Sequence, residues 1–318
     1  MTERGCQDGA GAGAPAAMRS AALSRAELML GSAAMDALRR TRVAVFGLGG
    51  VGGWCAESLA RTGVGAMMLV DSDRICVTNV NRQAMATMKT VGQVKAQALA
   101  ERLRDIAPGV ALDVRQRIYC AATAAEFDLS AYDYVIDAID SLENKALLIR
   151  HALSVPSATL FASMGAALKM DPFLIRQSDF RKVEGDGLAR ALRRKFRETG
   201  GIPERPFRCV WSPERRENKG APAAGCGLGA CVCPKGAGPG DPALADHEWC
   251  SLKARINGTV AHTTAMFGFA LAGMVVADVE RKVSCPGANP LLRLNSRSDT
   301  LKVSCPGGGF PGADADIV

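Results

Sequence analysis

A glycine-rich turn carries the first chemical signal in this sequence. Gly47-Leu48-Gly49-Gly50-Val51-Gly52 follows the apolar run 43–46 and precedes a helix-like stretch that ends near Arg61. Glycines let the backbone approach a phosphate closely, and a helix N-terminus offers free N–H groups and a favourable dipole. The turn therefore predicts a phosphate site formed by Gly47, Gly49, Gly50 and Gly52.

An acidic residue stands at the end of the next apolar run. Asp71 follows Met67-Met68-Leu69-Val70 and lies 19 residues after Gly52. A carboxylate in this place accepts hydrogen bonds from the hydroxyl groups of a ribose. Taken alone, the glycine turn and Asp71 fit a nicotinamide-dependent dehydrogenase as well as an enzyme that activates its substrate with a nucleotide.

Two cations follow this acid and favour the second class of enzyme. The segment Asn79-Val80-Asn81-Arg82-Gln83 precedes Lys95, which lies in the next predicted helix. An enzyme that cleaves ATP needs cations, because charge builds up on the α-phosphate and on the departing pyrophosphate. Arg82 can bind two phosphate oxygens, and Lys95 supplies a point charge. Each alone could be a solvated surface cation, but their order after a glycine turn predicts that both are catalytic.

A third catalytic residue is predicted at the end of a later strand. Asp137-Ala138-Ile139-Asp140-Ser141 closes an apolar run that begins at Tyr134. Ligands of open α/β sheets bind outside the carboxyl ends of the strands. Asp140 could hold Mg²⁺ there, because this hard ion prefers carboxylate oxygen. The alternative is that Asp140 caps the N-terminus of the following helix.

Most of the positive charge of the chain lies in one segment. The sequence has 318 residues and a net charge of +7, of which residues 181–219 contribute +6. Four arginines there recur at spacings that place them on one helix face: Arg190, Arg193, Arg194 and Arg197. Like charges on one face repel each other, and a polyanion would relieve that repulsion. The face is predicted to contact an RNA backbone; the alternative is an ordinary solvated face.

The elements that must position these residues alternate along the chain. Apolar strands are predicted at 43–46, 67–70 and 134–139 and from Thr159 onward, with helices between them, one at about 91–106. Such alternation predicts an α/β fold with a doubly wound, mostly parallel, Rossmann-like sheet and helices on both faces. A folded domain is predicted at 25–281. It would contain the basic segment 181–219 and a flexible insertion at 220–245, between a disordered tail at 1–24 and a flexible tail at 282–318.

The location of the protein is inferred from its cysteines and from one apolar stretch. Eleven cysteines, odd in number and irregularly spaced, predict reduced thiols inside a cell. Residues 256–277 carry no charge and could span a bilayer, yet they include Asn257, Thr259 and His262. A buried core helix is therefore favoured over membrane association. We expect a cytoplasmic protein, with a mitochondrial or other organellar site as the alternative.

These motifs together resemble the ubiquitin-activating-enzyme-like adenylation superfamily. Within it, further features resemble the tRNA threonylcarbamoyladenosine dehydratases; these are Arg61-Thr62-Gly63-Val64-Gly65, Cys76-Val77-Thr78-Asn79, Met164-Gly165-Ala166-Ala167, Lys169 to Pro172, Cys209 to Glu214 and Thr264 to Phe269. The resemblance implies that ATP adenylates the carboxylate of the threonylcarbamoyl group on the adenosine beside the anticodon. An atom of the same modification then displaces AMP, which gives a cyclic form with net loss of water.

The resemblance also assigns roles to individual residues. The four glycines of the turn would hold phosphate and Asp71 the ribose, with Asp73 and Gln83 also in the nucleotide site. Asn79, Arg82 and Lys95 would neutralise the triphosphate, and Asp140 would place Mg²⁺. The partners implied are tRNA, bound by the basic face, and a second copy in a homodimer in which Arg82 could serve the neighbouring site.

Three rival functions stay open from the sequence. A sulfur-carrier adenylyltransferase would activate the C-terminus of a small protein, could use a sulfur-transfer partner and often has paired Cys-x-x-Cys zinc ligands, which this sequence lacks. Cys209 and Cys250 are candidate nucleophiles for it, although packed or loop thiols are favoured. A nicotinamide-dependent oxidoreductase would not need Arg82 or Lys95. A scaffold that binds tRNA without chemistry would not need the ATP motifs.

Overall fold

The structure is a computed structural model that describes Met18, residues 21–220 and residues 257–285. Its elements are, in chain order, α1 (Ser24–Leu30), α2 (Ser32–Arg40), β1 (Arg42–Phe46), α3 (Gly52–Arg61), β2 (Ala66–Val70), α4 (Lys95–Ile106), β3 (Ala111–Arg115), β4 (Tyr134–Asp137), α5 (Leu142–Ser154), β5 (Thr159–Ser163), β6 (Arg176–Asp179), α6 (Gly187–Glu198), β7 (Arg208–Trp211) and α7 (Ala261–Ser284). The predicted alternation of strands and helices is confirmed.

The strands form one sheet in the order β3-β2-β1-β4-β5-β7-β6. Of the strands that the structure describes, β6 alone runs antiparallel to its neighbour. The chain winds outward from β1 to β3 and then returns to β4 on the other side of β1. Phe46 at the end of β1 pairs in register with Val70 of β2 and with Asp137 of β4. Three loops therefore leave the sheet side by side at the crevice where such folds bind ligands.

Helices cover both faces of the sheet, as predicted. Successive side chains of a strand point to opposite faces, so Val43 and Val45 join one core while Ala44 and Phe46 join the other. The first core is covered by α2, α3, α4 and α7, and the second by α5 and α6. Both faces of the central strands are apolar, which is the pattern of a parallel sheet buried between two helical layers.

Helix α7 accounts for the long uncharged stretch near the C-terminus. It is long and apolar enough to cross a membrane by length and composition, yet most of its apolar window is buried within the fold. A side chain at Gly268 would place its Cβ 2.5 Å from the carbonyl oxygen of Val51, so α7 packs tightly against the start of α3. The stretch predicted as a core helix therefore packs as one.

The folded region extends beyond both predicted boundaries. Leu23, inside the predicted tail at 1–24, already packs against the first core. At the other end α7 continues past residue 281, and Lys282 pairs with Asp278 at 2.9 Å. Residues 1–17, 19–20 and 286–318 of the predicted tails, residues 221–245 of the predicted insertion, and Cys250 lie outside the described residues.

Candidate active site at the carboxyl edge of the sheet

Two glycines of the turn after β1 are required by close backbone approach. Gly47 has a φ of +83°, and a Cβ there would lie 2.7 Å from the carbonyl oxygen of Ala138. A Cβ on Gly52 would lie only 1.9 Å from the carbonyl oxygen of Gly47. Neither contact is possible for a real side chain. The turn is therefore folded back on itself and packed against the loop that follows β4.

Gly49, in the middle of the same turn, faces open space. A Cβ on Gly49 would meet no neighbour nearer than Gln83 Nε2, at 3.9 Å. On the other side, a Cβ on Gly50 would lie 3.2 Å from Arg82 Cγ and 3.1 Å from Thr264 Cβ. The turn thus leaves room above Gly49 at the N-terminus of α3, where backbone N–H groups attract a phosphate, and an arginine lies next to that space.

Asp71 ties the glycine turn to the neighbouring strand. Its Oδ2 accepts a hydrogen bond from the Leu48 backbone N–H at 2.7 Å, and its Oδ1 accepts one from the Asp73 backbone N–H at 2.8 Å. Each carboxylate oxygen has two lone pairs, so these bonds leave capacity for a ribose hydroxyl. Besides its predicted contact with a ribose, Asp71 therefore fixes the conformation of the glycine turn.

Lys95 is a buried, charged residue at the first position of α4. Its Nζ forms an ion pair with Asp73 and lies 4.0 Å from Asp71 Oδ1. Burial alone would lower the pKa of Lys95, but the carboxylates of Asp71, Asp73 and Asp140 outweigh this effect and raise it above its ordinary value. Lys95 thus carries a full positive charge close to the ends of the strands.

Arg82 is held in place by its own loop. Its Nη1 donates to the Thr78 carbonyl at 2.8 Å and to Asn81 Oδ1 at 3.0 Å, while its own carbonyl accepts from Trp54 Nε1 at 2.9 Å. Burial lowers the pKa of the Arg82 guanidinium, and the nearby Asp140 carboxylate opposes this. An arginine keeps its charge in either case, so the site has a preoriented cation next to the glycine turn.

The two amide residues of this loop differ in role. Asn79 is buried and its Oδ1 accepts from the Cys76 backbone N–H at 3.0 Å, so it shapes the loop that carries Arg82. Gln83 is also buried, but its Oε1 has no hydrogen-bond donor within the part of the chain that the structure describes. A buried acceptor without a donor is costly. Gln83 therefore fits a ligand that brings a donor, such as a hydroxyl or amino group of a nucleotide.

Asp140 lies exposed at the end of the loop after β4. Its charge acts on both Arg82 and Lys95. Arg82 lies beside Gly50, and Lys95 lies 4.0 Å from the Asp71 carboxylate that binds the glycine turn, so the three predicted catalytic side chains lie at the same edge of the sheet. The N-cap position of α5 is occupied by Ser141, so the alternative of Asp140 as the helix cap does not hold. Two cations can bind phosphate oxygens, and a carboxylate beside them can bind a metal ion, so this arrangement suits a metal-bound polyphosphate.

A residue that the sequence did not single out lies directly beneath this loop. Lys145 of α5 is completely buried and its Nζ lies 2.9 Å from Asp137 Oδ2. The Nζ also donates to the Ile139 carbonyl at 3.0 Å. A lysine near the start of a helix normally has its ammonium in water. The one indication in the sequence of a role for Lys145 was therefore that it follows Asp137 and Asp140 closely along the chain.

The predicted RNA-binding face of α6 is corrected at one position. Arg190, Arg194 and Arg197 are exposed, and Arg194 lies 3.8 Å from Glu198 Oε1. Arg193 instead turns inward: it donates to the Phe180 carbonyl at 2.9 Å, and its guanidinium lies over the Phe180 ring, 5.2 Å from the centroid. It stabilises the fold rather than an RNA contact, because these bonds hold it against the preceding segment.

Further basic side chains of 181–219 donate to backbone carbonyls. Arg181 donates to the Glu204 carbonyl at 2.6 Å, Arg205 to the Val155 and Ala158 carbonyls before β5, and Arg215 to the Gly185 carbonyl at 2.8 Å. The net charge of +6 therefore overstates the free basic surface. The exposed arginines of α6 are part of that surface. This helix begins beside the loop after β5, since a Cβ on Gly165 would lie 3.5 Å from Asp186 Oδ2, at the helix cap.

The thiols and imidazoles in the described part of the chain have structural environments. Cys209 is buried in β7, and burial raises the pKa of its thiol, which disfavours a nucleophilic thiolate. His151 Nδ1 lies 2.8 Å from the Tyr119 hydroxyl, and His262 Nε2 lies 2.8 Å from the Met170 carbonyl oxygen. Across the described residues, no group of three His, Cys, Asp or Glu side chains could hold a metal ion. The cysteines Cys226, Cys231, Cys233 and Cys250 lie outside the described residues.

Comparison with known proteins gives a consistent family. The ThiF family model matches residues 23–300. The tRNA threonylcarbamoyladenosine dehydratase of Escherichia coli (strain K12) is 34% identical over 256 residues, which are 78% of this chain and 85% of that protein. The enzyme of the same name from Bacillus subtilis (strain 168) is 41% identical over 177 residues, which are 56% of this chain and 69% of that protein.

A solved structure agrees with the sequence comparison. The crystal structure of the Escherichia coli tRNA N6-threonylcarbamoyladenosine dehydratase in complex with ATP superposes with a TM-score of 0.70 and 30% identity, and the match covers 86% of this chain and 99% of that one. The glycine turn, Asp71, Arg82, Lys95 and Asp140 all lie within the part of the chain that the ThiF family model matches. The chain therefore belongs to the ThiF family and, within it, to the family of the tRNA threonylcarbamoyladenosine dehydratases.

Proposed function

We propose that this protein uses ATP to dehydrate threonylcarbamoyladenosine in tRNA to a cyclic form, through an acyl-adenylate. The observation that carries the proposal is the convergence of Arg82, Lys95 and Asp140 around the space beside the glycine turn. A dehydrogenase has no use for two cations and a carboxylate at this place. An enzyme that transfers AMP needs them, since its transition state is stabilised mainly by charge and position.

The geometry supports one placement of ATP. The phosphates fit over Gly49, where the turn leaves room and α3 begins. The ribose fits next to Asp71 at the end of β2, and Gln83 Oε1 is available for a donor group of the nucleotide. Arg82, in the loop after β2, and Lys95, at the start of α4, then approach the phosphates. Hydrogen bonds with backbone groups hold Asp71 and Arg82, and an ion pair with Asp73 holds Lys95, so these three side chains are already in place.

The first chemical step forms a bond between a substrate oxygen and the α-phosphorus of ATP. A carboxylate oxygen of the threonylcarbamoyl group attacks, and pyrophosphate leaves with the electron pair of the broken P–O bond. Arg82 and Lys95 stabilise the charge that grows on the α-phosphate and on the leaving group. The product is a mixed anhydride of the modification and AMP.

The second step closes the ring. A nucleophilic atom of the same modification attacks the activated carbonyl carbon and loses its proton, and AMP departs as the leaving group. The carboxylate oxygen that is lost from the modification leaves in AMP, so the nucleoside loses the elements of one water. Proximity supplies most of the acceleration, because attacker and carbonyl belong to one molecule held in one orientation.

The donor set at the edge of the sheet fits Mg²⁺. Asp140 presents an exposed carboxylate, a hard oxygen ligand, within the field of both cations. When bound, Mg²⁺ would neutralise part of the phosphate charge. Asp140 would hold it, and Lys95 would keep its own proton throughout because its surrounding carboxylates stabilise the ammonium.

The proposed partners follow from the substrate and the family. The exposed arginines Arg190, Arg194 and Arg197 would contact the phosphates of tRNA. We retain a homodimer and a cytoplasmic location as proposals. The bonds of Arg82 to Thr78 and Asn81 of its own chain favour action on the site of that same chain. The buried Cys209 weighs against a sulfur-transfer partner acting through that thiol.

AMP release tests the proposal against its main rival. The protein is incubated with Mg-ATP and with tRNA that carries the threonylcarbamoyl group, with the same tRNA lacking that group, or with a small sulfur-carrier protein ending in Gly-Gly. We expect AMP release only with the modified tRNA. Pyrophosphate release with AMP joined to the carrier protein, and no reaction with modified tRNA, would identify a sulfur-carrier adenylyltransferase instead.

A further inference from the structure

Lys145 forms a buried ion pair directly beneath the candidate active site. Both Lys145 and Asp137 have fully buried side chains, and Nζ lies 2.9 Å from Asp137 Oδ2. Lysine is among the residues that are almost never fully buried unless they are paired. A buried ion pair is also a poor source of stability, since an apolar pair of similar volume often stabilises a protein as well or better. The pair therefore calls for an explanation other than stability.

Among the described residues, the hydrogen bonds and the ion pair of the Lys145 ammonium are all made with one short segment, residues 137–139. Besides the Asp137 carboxylate, Nζ donates to the Ile139 carbonyl at 3.0 Å and reaches the Asp137 carbonyl at 3.5 Å. The other carboxylate oxygen of Asp137 accepts from the Ile139 backbone N–H at 3.1 Å. Lys145 thus binds the carbonyl oxygens of both residues that flank Ala138, and the Asp137 carboxylate binds the N–H of Ile139. The residue that follows this fixed segment is Asp140.

The same segment forms a wall of the glycine turn. The Ala138 carbonyl oxygen lies so close to Gly47 that a Cβ there would be 2.7 Å away, and the Ala138 Cβ lies 3.2 Å from the place where a Cβ on Gly52 would stand. Movement of the loop after β4 would therefore alter the shape of the phosphate-binding turn as well as the place of Asp140. Lys145 is the side chain of α5 that couples the two.

We propose that Lys145 is a positioning residue for nucleotide binding: it locks residues 137–139 so that Asp140 and the glycine turn keep a fixed separation. Lys145 touches neither ATP nor the modification; it acts through the loop. The inference rests on the proposed function only in assigning Asp140 to the metal of Mg-ATP. A misplacement of about 1 Å in a catalytic site can lower the rate about 100-fold. Loss of the Lys145 contacts could therefore have a large effect without any direct contact between Lys145 and the nucleotide.

The test separates positioning from stability with a double variant. Lys145→Met alone leaves Asp137 as an unpaired buried charge and could prevent folding. Asp137→Asn combined with Lys145→Met removes both charges, keeps an oxygen for the Ile139 N–H and keeps the volume nearly constant. Lys145→Arg keeps the charge and the donors. Arg150→Met is the matched control, because Arg150 lies on the same helix and donates to the Gly201 carbonyl at 2.8 Å, in a different loop.

The readout is the factor by which Mg²⁺ increases ATP affinity, measured by calorimetry on the full chain with and without chelator, together with the melting temperature. We expect the double variant to fold and to lose this factor by about 10- to 100-fold, Lys145→Arg to retain more of it, and Arg150→Met to match the wild type. A folded double variant with the wild-type factor would overturn the proposal, as would equal loss in Arg150→Met.

If the double variant does not fold, the Lys145→Arg variant provides the test. A folded Lys145→Arg protein in which Mg²⁺ increases ATP affinity by a smaller factor than in Arg150→Met supports positioning, and an equal factor overturns it.

These measurements use ATP and Mg²⁺ without tRNA. A failure of the protein to produce a dehydrated nucleoside would refute the proposed function and leave the result for Lys145 intact. Conversely, an unchanged magnesium effect in the double variant would reject the positioning role in a protein that still modifies tRNA. The two failures are therefore distinguishable.

Discussion

The Leu48 backbone N–H donates a hydrogen bond to Asp71 Oδ2 at 2.7 Å, and this bond joins the glycine turn after β1 to the end of β2. Asp71 also lies 4.0 Å from the Lys95 ammonium. The Asp71 carboxylate therefore has two effects. It fixes the backbone of the glycine turn, and it balances the charge of Lys95. The position of Asp71 at the end of β2 was predictable from the sequence. Its hydrogen bond to Leu48 was not, because that bond joins residues from two different strand ends.

Asp71→Ala should weaken both the fold and ATP binding. The Leu48 N–H would lose its acceptor and Lys95 one of its counter-charges, which should destabilise the protein by about 1–3 kcal/mol. We expect ATP affinity to fall together with stability, as measured by urea unfolding and calorimetry. Asp36→Ala, in an exposed pair with Arg39, is the control and should change neither quantity appreciably. Wild-type ATP affinity in the Asp71→Ala protein would contradict this role.

Alanine substitutions at two glycines should separate folding from binding. Gly52→Ala places a Cβ 1.9 Å from a backbone carbonyl and should prevent the turn from forming. Gly49→Ala meets nothing within the fold nearer than 3.9 Å, so the protein should keep its melting temperature and lose ATP affinity because the methyl group occupies phosphate space. Gly187→Ala on α6, also without a neighbour, should affect neither. Normal ATP binding by Gly49→Ala would move the phosphate site elsewhere.

Charge reversals on α6 should have two different effects. Arg190→Glu with Arg194→Glu changes exposed residues, and we expect weaker tRNA binding with a salt slope reduced by about one for each lost phosphate contact. Arg193→Glu should instead lower the melting temperature, because it breaks the bonds to the Phe180 and Val183 carbonyls. The measurements are tRNA affinity against salt concentration and thermal unfolding. An unchanged salt slope in the double reversal would exclude this face as the RNA surface.

Glu214 should make the fold sensitive to acid. Burial alone would raise the pKa of Glu214, but hydrogen bonds from the Met170 and Asp171 N–H groups and from Arg216 lower it from 4.5 to about 2. A carboxyl whose folded pKa is depressed stabilises the protein above its unfolded pKa, and this stabilisation is lost as the pH falls from about 4.5 towards 2.

The corresponding experiment compares Glu214→Gln with the wild type in urea unfolding across this pH range. We expect the variant to be less stable at neutral pH and to lose less stability on acidification. Glu198→Gln, at an exposed position of α6, serves as the control with the wild-type pH profile. Parallel pH profiles for Glu214→Gln and the wild type would show that the carboxylate does not hold the segment after β5.

Sequence patterns predicted the centre of the fold better than its edges. β1, β2 and β4 are continuous apolar runs because both faces of each strand are buried. β6, with the sequence Arg176-Gln177-Ser178-Asp179, has no such pattern, since it is a polar edge strand that pairs only with β7. The predicted helix at 91–106 begins later, at Lys95, because Val94 is extended and bridges Arg74.

The candidate site shows the same division. Spacing predicted a nucleotide site at the glycine turn, Asp71, Arg82, Lys95 and Asp140, since residues of these types are suited to phosphate binding. Spacing placed Arg193 among solvent-facing arginines, but only the fold shows that backbone carbonyls of the preceding turn accept its donors. Lys145 was missed for the converse reason: a charged residue in a helix suggests solvent, and its burial results from long-range packing.

Mass analysis of tRNA nucleosides tests the central claim most directly. Threonylcarbamoylated tRNA is incubated with the wild-type protein and Mg-ATP, or with Asp140→Ala, and then digested to nucleosides. We predict that the wild type converts the modified adenosine to a species lighter by one water, with one AMP formed for each, and that Asp140→Ala does not. An unchanged nucleoside mass with the folded, ATP-binding wild-type protein would contradict the proposed function, and full conversion by Asp140→Ala would contradict the assignment of the metal to Asp140.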